Sequence, residues 1–165
     1  MGGCGGSAFG DLYSGRQVRI LVIHGPNLDL LGIREPEIYG RESLEEINRR
    51  VLELCEELGY EVEIMQSNSE GEIVSAIGRA YGRFDFLIIN AAAYTHTSLA
   101  IHDAIRAVGI PTIEVHLSNI YAREEERRRS LVSPVAVGVI SGFGPGSYLL
   151  AIRAIEFIIS RKADG

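Results

Sequence analysis

The chain contains few cysteines, and this scarcity limits both its fold and its compartment. Only Cys4 and Cys55 occur among 165 residues, so we expect no disulfide framework and favour a reducing cytoplasm. The sequence also lacks any run of about 18 apolar residues and any recognisable signal peptide, which argues against a membrane span. With 46% hydrophobic and 23% charged residues, the composition is that of a globular protein of one domain.

Positive charge is also in short supply. The 16 basic residues are outnumbered by 22 acidic ones, which gives a formal net charge of −6. Because a nucleic-acid binder needs a basic face, this balance disfavours nucleic acid as a partner. A small anionic substrate is still compatible with it, since a few clustered arginines can bind an anion whatever the net charge is.

Motifs that would identify other enzyme classes are absent. No glycine fingerprint of dinucleotide binding follows the first predicted strand, and the later pair Gly142 and Gly144 leaves too little chain for a ribose-binding carboxylate. There is no G-x-S-x-G nucleophile elbow. The histidines at positions 24, 96, 102 and 116 show no recognisable metal-ligand spacing. We therefore expect acid–base chemistry without a metal.

Hydrophobic periodicity predicts five strands that alternate with helices. Apolar or alternating runs typical of strands occur at 18–23, 61–66, 84–89, 112–117 and 135–140. Helices with one buried stripe are predicted between them, and two of these begin at the capping boxes Ser43-x-x-Glu46 and Ser69-x-x-Glu72. A third helix begins near position 98, and a last helix ends near position 161.

This alternation predicts a three-layer, flavodoxin-like α/β sandwich around a five-stranded parallel sheet. Among the doubly wound arrangements, we expect the strand order 2-1-3-4-5. Residues 1–17 are glycine-rich and aperiodic, so we expect a flexible N-terminal extension there. The rest of the chain, 18–162, is predicted to form a single catalytic domain, because neither an internal repeat nor a domain linker interrupts it.

The connection between the first strand and the first helix is long and carries reactive side chains. It spans 24–40, where such a connection normally needs about 2–6 residues. Its members Asn27, Arg34 and Tyr39 indicate an active-site loop. A tyrosine ordinarily keeps its proton up to pH ~10, and a nearby guanidinium favours the phenolate, so Tyr39 with Arg34 is a candidate base. The alternatives are an ordinary surface tyrosine and a turn-forming asparagine.

Polar residues also follow the third and fourth strands, whose carboxyl ends meet at the same edge of a parallel sheet. Asn90 and His96 follow the third strand. On the fourth, Glu114 and His116 share a face that should be apolar in a strand covered on both sides. They form either a satisfied buried pair or an imidazole oriented by a carboxylate for proton transfer.

Two arginines after the fourth strand offer a place for an anion. Arg123 and Arg127 lie on one face of a short charged helical turn that we predict at 123–130. The alternative is a solvated charged helix with i,i+4 ion pairs, of which Glu124 with Arg128 is the first.

Several ordered segments of the chain resemble the type II 3-dehydroquinate dehydratases. The similarity runs from about position 18 to position 159. It is carried by the Pro-Asn-Leu, Leu-Gly-x-Arg-x-Pro and Tyr-Gly of the first loop, and by Gln66-Ser67-Asn68, Tyr94-Thr95-His96-Thr97-Ser98, Glu114-Val115-His116-Leu117-Ser118-Asn119 and Arg123-Glu124-Glu125. Because so many segments occur in the same order, the resemblance is specific.

The resemblance implies a cofactor-free anti-elimination of water from 3-dehydroquinate through an enolate. The product would be 3-dehydroshikimate, in the shikimate pathway or in quinate breakdown. By this resemblance Tyr39 removes the C2 proton with help from Arg34, and Asn27 stabilises the enolate through an ordered water. His116, held by Glu114, protonates the departing hydroxyl.

The resemblance also implies a set of substrate-binding residues and an assembly. Asn90, His96 and Arg127 would bind the ring hydroxyls of the substrate, and Leu117 and Ser118 would bind its carboxylate. Arg123 would lie on a closing loop, and Asp103 would enter the site of a neighbouring subunit. The resemblance implies that the protein forms trimers that assemble into dodecamers. We therefore expect a homo-oligomer in which Asp103 reaches a neighbouring subunit.

Five residues depart from the usual family pattern, and none of them is assigned to proton transfer. They are Asp29, Ser69, Ala92, Glu126 and Arg129. Glycine is usual at Ala92, and a positive φ there would penalise a Cβ. Two alternative functions are considered. A non-catalytic flavodoxin-like binding module would need a phosphate-binding loop or an acidic cluster after the first strand, and the sequence has neither. The other alternative is a scaffold that has lost activity, against which the intact set of Tyr39, Arg34 and His116 argues.

Overall fold

In the computed structural model, which describes residues 15–163, five strands alternate with helices. The strands are β1 (Arg19–His24), β2 (Glu61–Gln66), β3 (Phe86–Asn90), β4 (Thr112–His116) and β5 (Gly138–Ser141). The helices are α1 (Pro36–Tyr39), α2 (Leu44–Leu58), α3 (Glu70–Ala80), α4 (Leu99–Val108) and α5 (Gly146–Ala163). Short 3₁₀ turns occur at Leu28–Leu30, Ala92–His96, Ile120–Ala122, Glu125–Arg127 and Ser133–Val135. Apart from 15–17, the extension predicted at 1–17 lies outside the described residues.

The strands form one parallel sheet of order β2-β1-β3-β4-β5, which confirms the predicted fold and strand order. β3 and β4 are buried along their whole length, as expected of central strands covered on both faces. β2 is an edge strand, where the exposed carboxylates of Glu61 and Glu63 discourage pairing with another chain. The strand order reverses between β1 and β3, the place where such folds bind ligands.

Two hydrophobic layers cover the sheet, one on each face. α2 and α5 pack on the first face, where Val51 and Ile152 are completely buried. α3 and α4 pack on the second face, where Ile77 and Ile105 are buried. Burying one such side chain contributes about 1.5–3 kcal/mol, so these apolar stripes hold the helices on the sheet. None of the helices in the described residues is both long and apolar enough to cross a membrane.

Local capping signals predict the starts of α2 and α3, and one of the two predicted capping boxes is incomplete. Ser43 Oγ accepts the N–H of Glu46 at 3.2 Å, and the Glu46 carboxylate accepts the N–H of Ser43 at 2.6 Å. Ser69 Oγ likewise accepts the N–H of Glu72 at 3.3 Å. The Glu72 carboxylate, however, accepts from Ser67 Oγ instead of returning to the backbone of Ser69. The second predicted capping box therefore forms only one of its two hydrogen bonds.

The charged segment between β4 and β5 differs from the helical turn predicted at 123–130. It has irregular backbone with a single 3₁₀ turn, which brings residues three apart into contact. Glu124 consequently pairs with Arg127 at 2.6 Å. Arg128, the partner expected for Glu124, donates from Nε to the carbonyl of Arg123 at 2.6 Å. The predicted i,i+4 pairing is thus replaced by i,i+3 pairing.

β5 is shorter than the strand predicted at 135–140. The preceding residues Ser133–Val135 form a 3₁₀ turn, in which Pro134 cannot donate to a strand ladder. The turn is fastened to the neighbouring strand by its first residue, because Ser133 Oγ donates to Glu114 on β4. The strand begins only at Gly138, where the chain is past this attachment.

Candidate active site

A pocket opens at the carboxyl ends of β1, β3 and β4, beside the point where the strand order reverses. It encloses about 560 Å³, its open mouth included. Its lining comes from the first loop, from the ends of β3 and β4, and from the charged segment: Asn27, Leu28, Leu31, Arg34, Tyr39, Asn90, Ala92, Ala93, His96, His116, Leu117, Ser118, Ile120, Arg123 and Arg127. The structure thus brings together all predicted site residues except Glu114, which lies behind His116, and Asp103.

Tyr39 lies at the end of α1 between two guanidinium groups. Arg123 Nη1 donates to the phenol oxygen at 2.7 Å, and its Cζ lies 5.4 Å from the centre of the ring. Arg34 Cζ lies 5.3 Å from the same centre. Both cations stand where they would stabilise a phenolate. From the sequence only Arg34 was expected in this role, whereas Arg123, expected on a closing loop, makes the direct hydrogen bond.

His116 and Glu114 form a buried pair at the end of β4. His116 Nε2 lies 2.6 Å from Glu114 Oε1, and only 5% of His116 and 1% of Glu114 is exposed. Because Nε2 faces the carboxylate, Nδ1 is the ring nitrogen that is left for the pocket, whose wall His116 forms. A pair that only fills the core would be surrounded by packed side chains, whereas His116 borders the pocket. This position therefore favours the oriented-imidazole interpretation.

Two serines, one at the end of the charged segment and one just beyond it, help His116 to hold Glu114 as a carboxylate. Oε1 accepts from Ser130 Oγ at 2.7 Å, and Oε2 accepts from Ser133 Oγ at 2.6 Å. Burial opposes the charge, but the hydrogen bonds from His116, Ser133 and Ser130 together outweigh it, so the pKa of Glu114 lies below its usual value. No local pattern marks these serines in the sequence. The one available signal is indirect, since a buried carboxylate on a central strand needs donors.

His96 reaches the pocket from the 3₁₀ turn after β3. Its Nδ1 lies 2.6 Å from the carbonyl oxygen of Arg129. A carbonyl only accepts, so Nδ1 carries a proton, and Nε2 is the nitrogen that remains for a substrate. Arg127 lines the same pocket and is paired there with Glu124. These two residues therefore offer a ring nitrogen and a guanidinium to a polar ligand.

Asn27 and Asn90 both take part in turns and both stand at the pocket. Asn27 has φ 65°, in the left-handed region that asparagine tolerates, and its N–H donates to Asn68 Oδ1 at 2.9 Å. Asn90 Oδ1 accepts the N–H of Ala92 at 3.2 Å, and Asn90 Nδ2 donates to Tyr148 Oη at 3.1 Å. Both asparagines also line the pocket.

The remaining predicted residues lie directly after β4 and on α4. Leu117 and Ser118 follow β4 directly, and the carbonyl of Ser118 accepts from Ser141 Oγ at 2.9 Å, which ties this part of the pocket wall to β5. Asp103 is exposed on α4 and does not line the pocket of its own chain. Its assignment to a neighbouring subunit stays a prediction.

Among the departures from the family pattern, Ala92 has the clearest structural consequence. Its φ is 50°, the left-handed conformation in which a Cβ is strained. Asp29 is exposed, and its Oδ1 lies 3.5 Å from Gln66 Nε2. Glu126 and Arg129 are exposed as well. Only Ala92, therefore, changes the pocket wall itself.

Within the described part of the chain, no cluster of three or more His, Cys, Asp or Glu side chains is arranged to hold a metal ion.

Comparison with known proteins points to one family. The family model for Dehydroquinase class II matches residues 18–156. The 3-dehydroquinate dehydratase of Geotalea daltonii is 56% identical over 138 residues, which cover 84% of this chain and 96% of that protein. The 3-dehydroquinate dehydratase of Caldicellulosiruptor bescii is 56% identical over 142 residues, 86% of this chain and 98% of that protein. The crystal structure of the type II dehydroquinase from Butyrivibrio crossotus superposes with a TM-score of 0.84 at 46% identity, covering 85% of this chain and 98% of that chain.

Proposed function

We propose that this chain, which belongs to the class II dehydroquinase family, removes water from 3-dehydroquinate to give 3-dehydroshikimate. The reaction would serve the shikimate pathway or quinate breakdown. The observation that carries the proposal is the pairing of a candidate base with a candidate acid in one pocket. Tyr39 is flanked there by Arg34 and Arg123, and His116 stands on β4 with its carboxylate partner Glu114 behind it.

The first step is removal of the proton at C2, next to the ketone, by the phenolate of Tyr39. The hydrogen bond from Arg123 and the guanidinium of Arg34 on the ring both favour the negative form of the base. A positioned general base accelerates such a step by about 10²–10⁴-fold.

The electron pair then moves onto the ketone oxygen as an enolate, which has to be stabilised while it exists. Asn27 stands on the pocket wall at the end of β1, with its backbone held by Asn68. We assign it the enolate oxygen, reached through an ordered water. Fixed donors aimed at a developing negative charge are worth more inside a pocket than in bulk water.

Loss of the C1 hydroxyl completes the reaction. His116 would give the proton on Nδ1 to the leaving oxygen, while Glu114 holds Nε2 and balances the positive charge of the ring. An anti-elimination requires the base and the acid to act on opposite faces of the substrate. Tyr39 reaches the pocket from the first loop and His116 reaches it from β4, so the two groups come from different elements.

The remaining residues of the pocket are assigned to substrate binding. Asn90, His96 and Arg127 would bind the ring hydroxyls, and all three line the pocket. Ser118 with the backbone at Leu117 would take the carboxylate of the substrate, beside the end of β4. Arg123 would belong to a loop that closes over the substrate. Its hydrogen bond to Tyr39 would connect this loop to the base.

We further propose that the protein works in the cytoplasm as a homo-oligomer of trimers, twelve subunits in the complete assembly. In this assembly Asp103 would enter the site of a neighbouring subunit. Its exposure on α4, away from the pocket of its own chain, is consistent with that role. The proposed partner is the small anionic substrate, and the net charge of −6 disfavours nucleic acid.

The decisive experiment mixes purified protein with 3-dehydroquinate and follows the ultraviolet absorbance of the conjugated enone product. We expect activity in the wild type and a loss of at least about 10²-fold in Tyr39→Phe. Tyr81→Phe is the matched control, because Tyr81 is 72% exposed at the end of α3 and does not line the pocket.

Each result of this experiment has a different meaning. Activity that survives in Tyr39→Phe would keep the reaction but refute the assignment of the base. A flat trace from folded wild-type protein would refute the enzymatic function and favour a scaffold.

A further inference from the structure

We propose that His24 and Tyr148, two buried residues outside the pocket, are positioning residues for Asn90. With Asn48 they form a chain of hydrogen bonds, here called the relay, that fixes the amide of Asn90 so that it offers an N–H to the substrate. The identity of that substrate rests on the proposed function, but the relay itself does not.

The relay connects four elements of the fold through side chains alone. Asn48 on α2 lies with Oδ1 2.8 Å from Nε2 of His24, the last residue of β1. His24 Nδ1 lies 2.8 Å from the hydroxyl of Tyr148 on α5, and the two rings meet edge to face at 5.1 Å. The same hydroxyl lies 3.1 Å from Nδ2 of Asn90, the last residue of β3. No more than 4% of His24, Tyr148 or Asn90 is exposed.

The direction of every bond in the relay follows from one backbone group that cannot be reversed. The N–H of Ala92 donates to Asn90 Oδ1, so Asn90 must present Nδ2 to Tyr148. The Tyr148 oxygen therefore accepts from Asn90, and its own proton needs another acceptor. His24 Nδ1 is the acceptor within reach, which leaves the ring proton of His24 on Nε2, where Asn48 Oδ1 accepts it.

His24 has to be neutral for this arrangement. Burial lowers its pKa to about 4, although the hydrogen bond to Asn48 works in the opposite direction. Of the relay residues only His24 and Tyr148 can titrate, and burial raises the pKa of Tyr148, so neither changes charge near neutral pH. The hydrogen bonds of the relay therefore keep one direction near neutral pH.

The consequence for Asn90 is a single allowed orientation of its amide. A rotation of the amide by half a turn would place Nδ2 against the N–H of Ala92, donor against donor. It would also break the hydrogen bond from Nδ2 to the Tyr148 oxygen. One proton of Nδ2 is used by Tyr148. The other remains for the pocket that Asn90 lines, so this wall selects an oxygen that can accept, such as a ring hydroxyl.

His24 and Tyr148 do not line the pocket, so their effect on catalysis must pass through Asn90. The kinetic test uses Tyr148→Phe, which removes one oxygen and keeps the ring. We expect the KM for 3-dehydroquinate to rise about tenfold while kcat changes less, because a binding group is misplaced and the reacting groups are not. The matched control is Tyr60→Phe, which removes a hydroxyl from a partly buried tyrosine packed against the same core.

A double-mutant cycle separates positioning from a general loss of stability. In an Asn90→Ala background, Tyr148→Phe should raise KM no further, because the residue through which it acts is gone. The thermal stabilities need not add, because Asn90 and Tyr148 are in direct contact, so KM is the readout of the cycle. An unchanged KM in Tyr148→Phe, or an effect on KM that adds fully to that of Asn90→Ala, would overturn the proposal while leaving the reaction in place.

A spectroscopic measurement tests the relay without any activity. The chain has four histidines, so ¹⁵N-histidine NMR can be assigned by single substitutions. We expect His24 to carry its proton on Nε2 alone between about pH 5 and 8, and its Nδ1 resonance to shift in Tyr148→Phe but not in Tyr60→Phe. A proton on Nδ1 of His24 in the wild type would refute the relay. If the wild type did not turn over 3-dehydroquinate, the proposed function would fail and this measurement would still decide the relay.

Discussion

The side of the pocket that holds the proposed acid is built on a strand, whereas the side that holds the proposed base is built on a loop. Glu114 and His116 belong to β4 in the centre of the sheet, and each carboxylate oxygen of Glu114 accepts a serine hydroxyl. Tyr39 ends the four-residue helix α1, which starts after Glu35 at φ 39° and stops at Gly40 at φ 86°. The three residues before Tyr39 in α1 are exposed.

This difference indicates how each side keeps its geometry. The acid is fixed by buried hydrogen bonds that exist before a substrate arrives, as a preorganised group requires. The base has no such support from its own segment, and its hydroxyl is held by Arg123, which lies 84 residues further along the chain. We therefore expect substitutions on the acid side to act through charge, and substitutions on the base side to act through position.

The largest effect in this comparison is expected for Glu114→Gln. The amide keeps the size of the side chain, its oxygen accepts from His116 and Ser130, and its NH₂ donates to a rotated Ser133 hydroxyl, so the fold should survive. The negative charge behind His116 is lost, and kcat should fall by about 10²-fold. Steady-state kinetics measures this, and kcat within twofold of the wild type would contradict the role given to Glu114.

The same variant carries a pH signature in stability. Because the folded protein lowers the pKa of Glu114, its carboxylate contributes stability that is fully present above the ordinary value of 4.5 and is lost as the pH falls through the lower folded value. Urea midpoints should therefore fall more steeply with acid in the wild type than in Glu114→Gln. The lowered pKa of His24 also makes the folded protein less stable in acid. This contribution is the same in the wild type and in Glu114→Gln.

The fold could be predicted because its signals are local. The capping box at Ser43, the glycine at position 59 with φ 73°, and the apolar stripe of α2 lie within one stretch of chain. The alternation of such stretches then fixes a parallel sheet with few possible strand orders. The charged segment at 123–130 was predicted wrongly, because its backbone follows hydrogen bonds to distant groups, such as the one from His96 to the carbonyl of Arg129, rather than helix periodicity.

The site could be predicted only as far as its residues stand at strand ends. Asn90, His116 and Tyr39 are found from their positions in the pattern and from the resemblance to a family. Their partners are not, because Ser133 binds Glu114 across 19 residues, and Tyr148 reaches His24 across 124. Such contacts depend on how helices and loops are placed in three dimensions, which periodicity in the sequence does not encode.

A smaller effect, on the base side, is expected for Arg123→Lys. The ammonium keeps the charge but lacks the planar fork that both stacks on the Tyr39 ring and donates to its oxygen. We expect kcat to fall about tenfold with little change in KM. Arg127→Lys is the matched control, because Arg127 lines the same pocket without a contact to Tyr39, and it should raise KM instead. A rise in KM alone for Arg123→Lys would assign Arg123 to substrate binding only.

The smallest effect is expected where the two sides of the pocket meet, at Ala92. Its φ of 50° strains a residue with a Cβ, so Ala92→Gly should relieve about 1–2 kcal/mol of strain. The added freedom of glycine in the unfolded chain takes back about 0.4–1 kcal/mol, which leaves a net gain in the free energy of unfolding of about 0.5–1 kcal/mol. Ala93→Gly, one residue further along the same 3₁₀ turn and without a positive φ, should lose stability by a similar amount. Urea unfolding at an unchanged m value measures both, and a loss of stability in Ala92→Gly equal to that in Ala93→Gly would show that the wall at Ala92 is not strained.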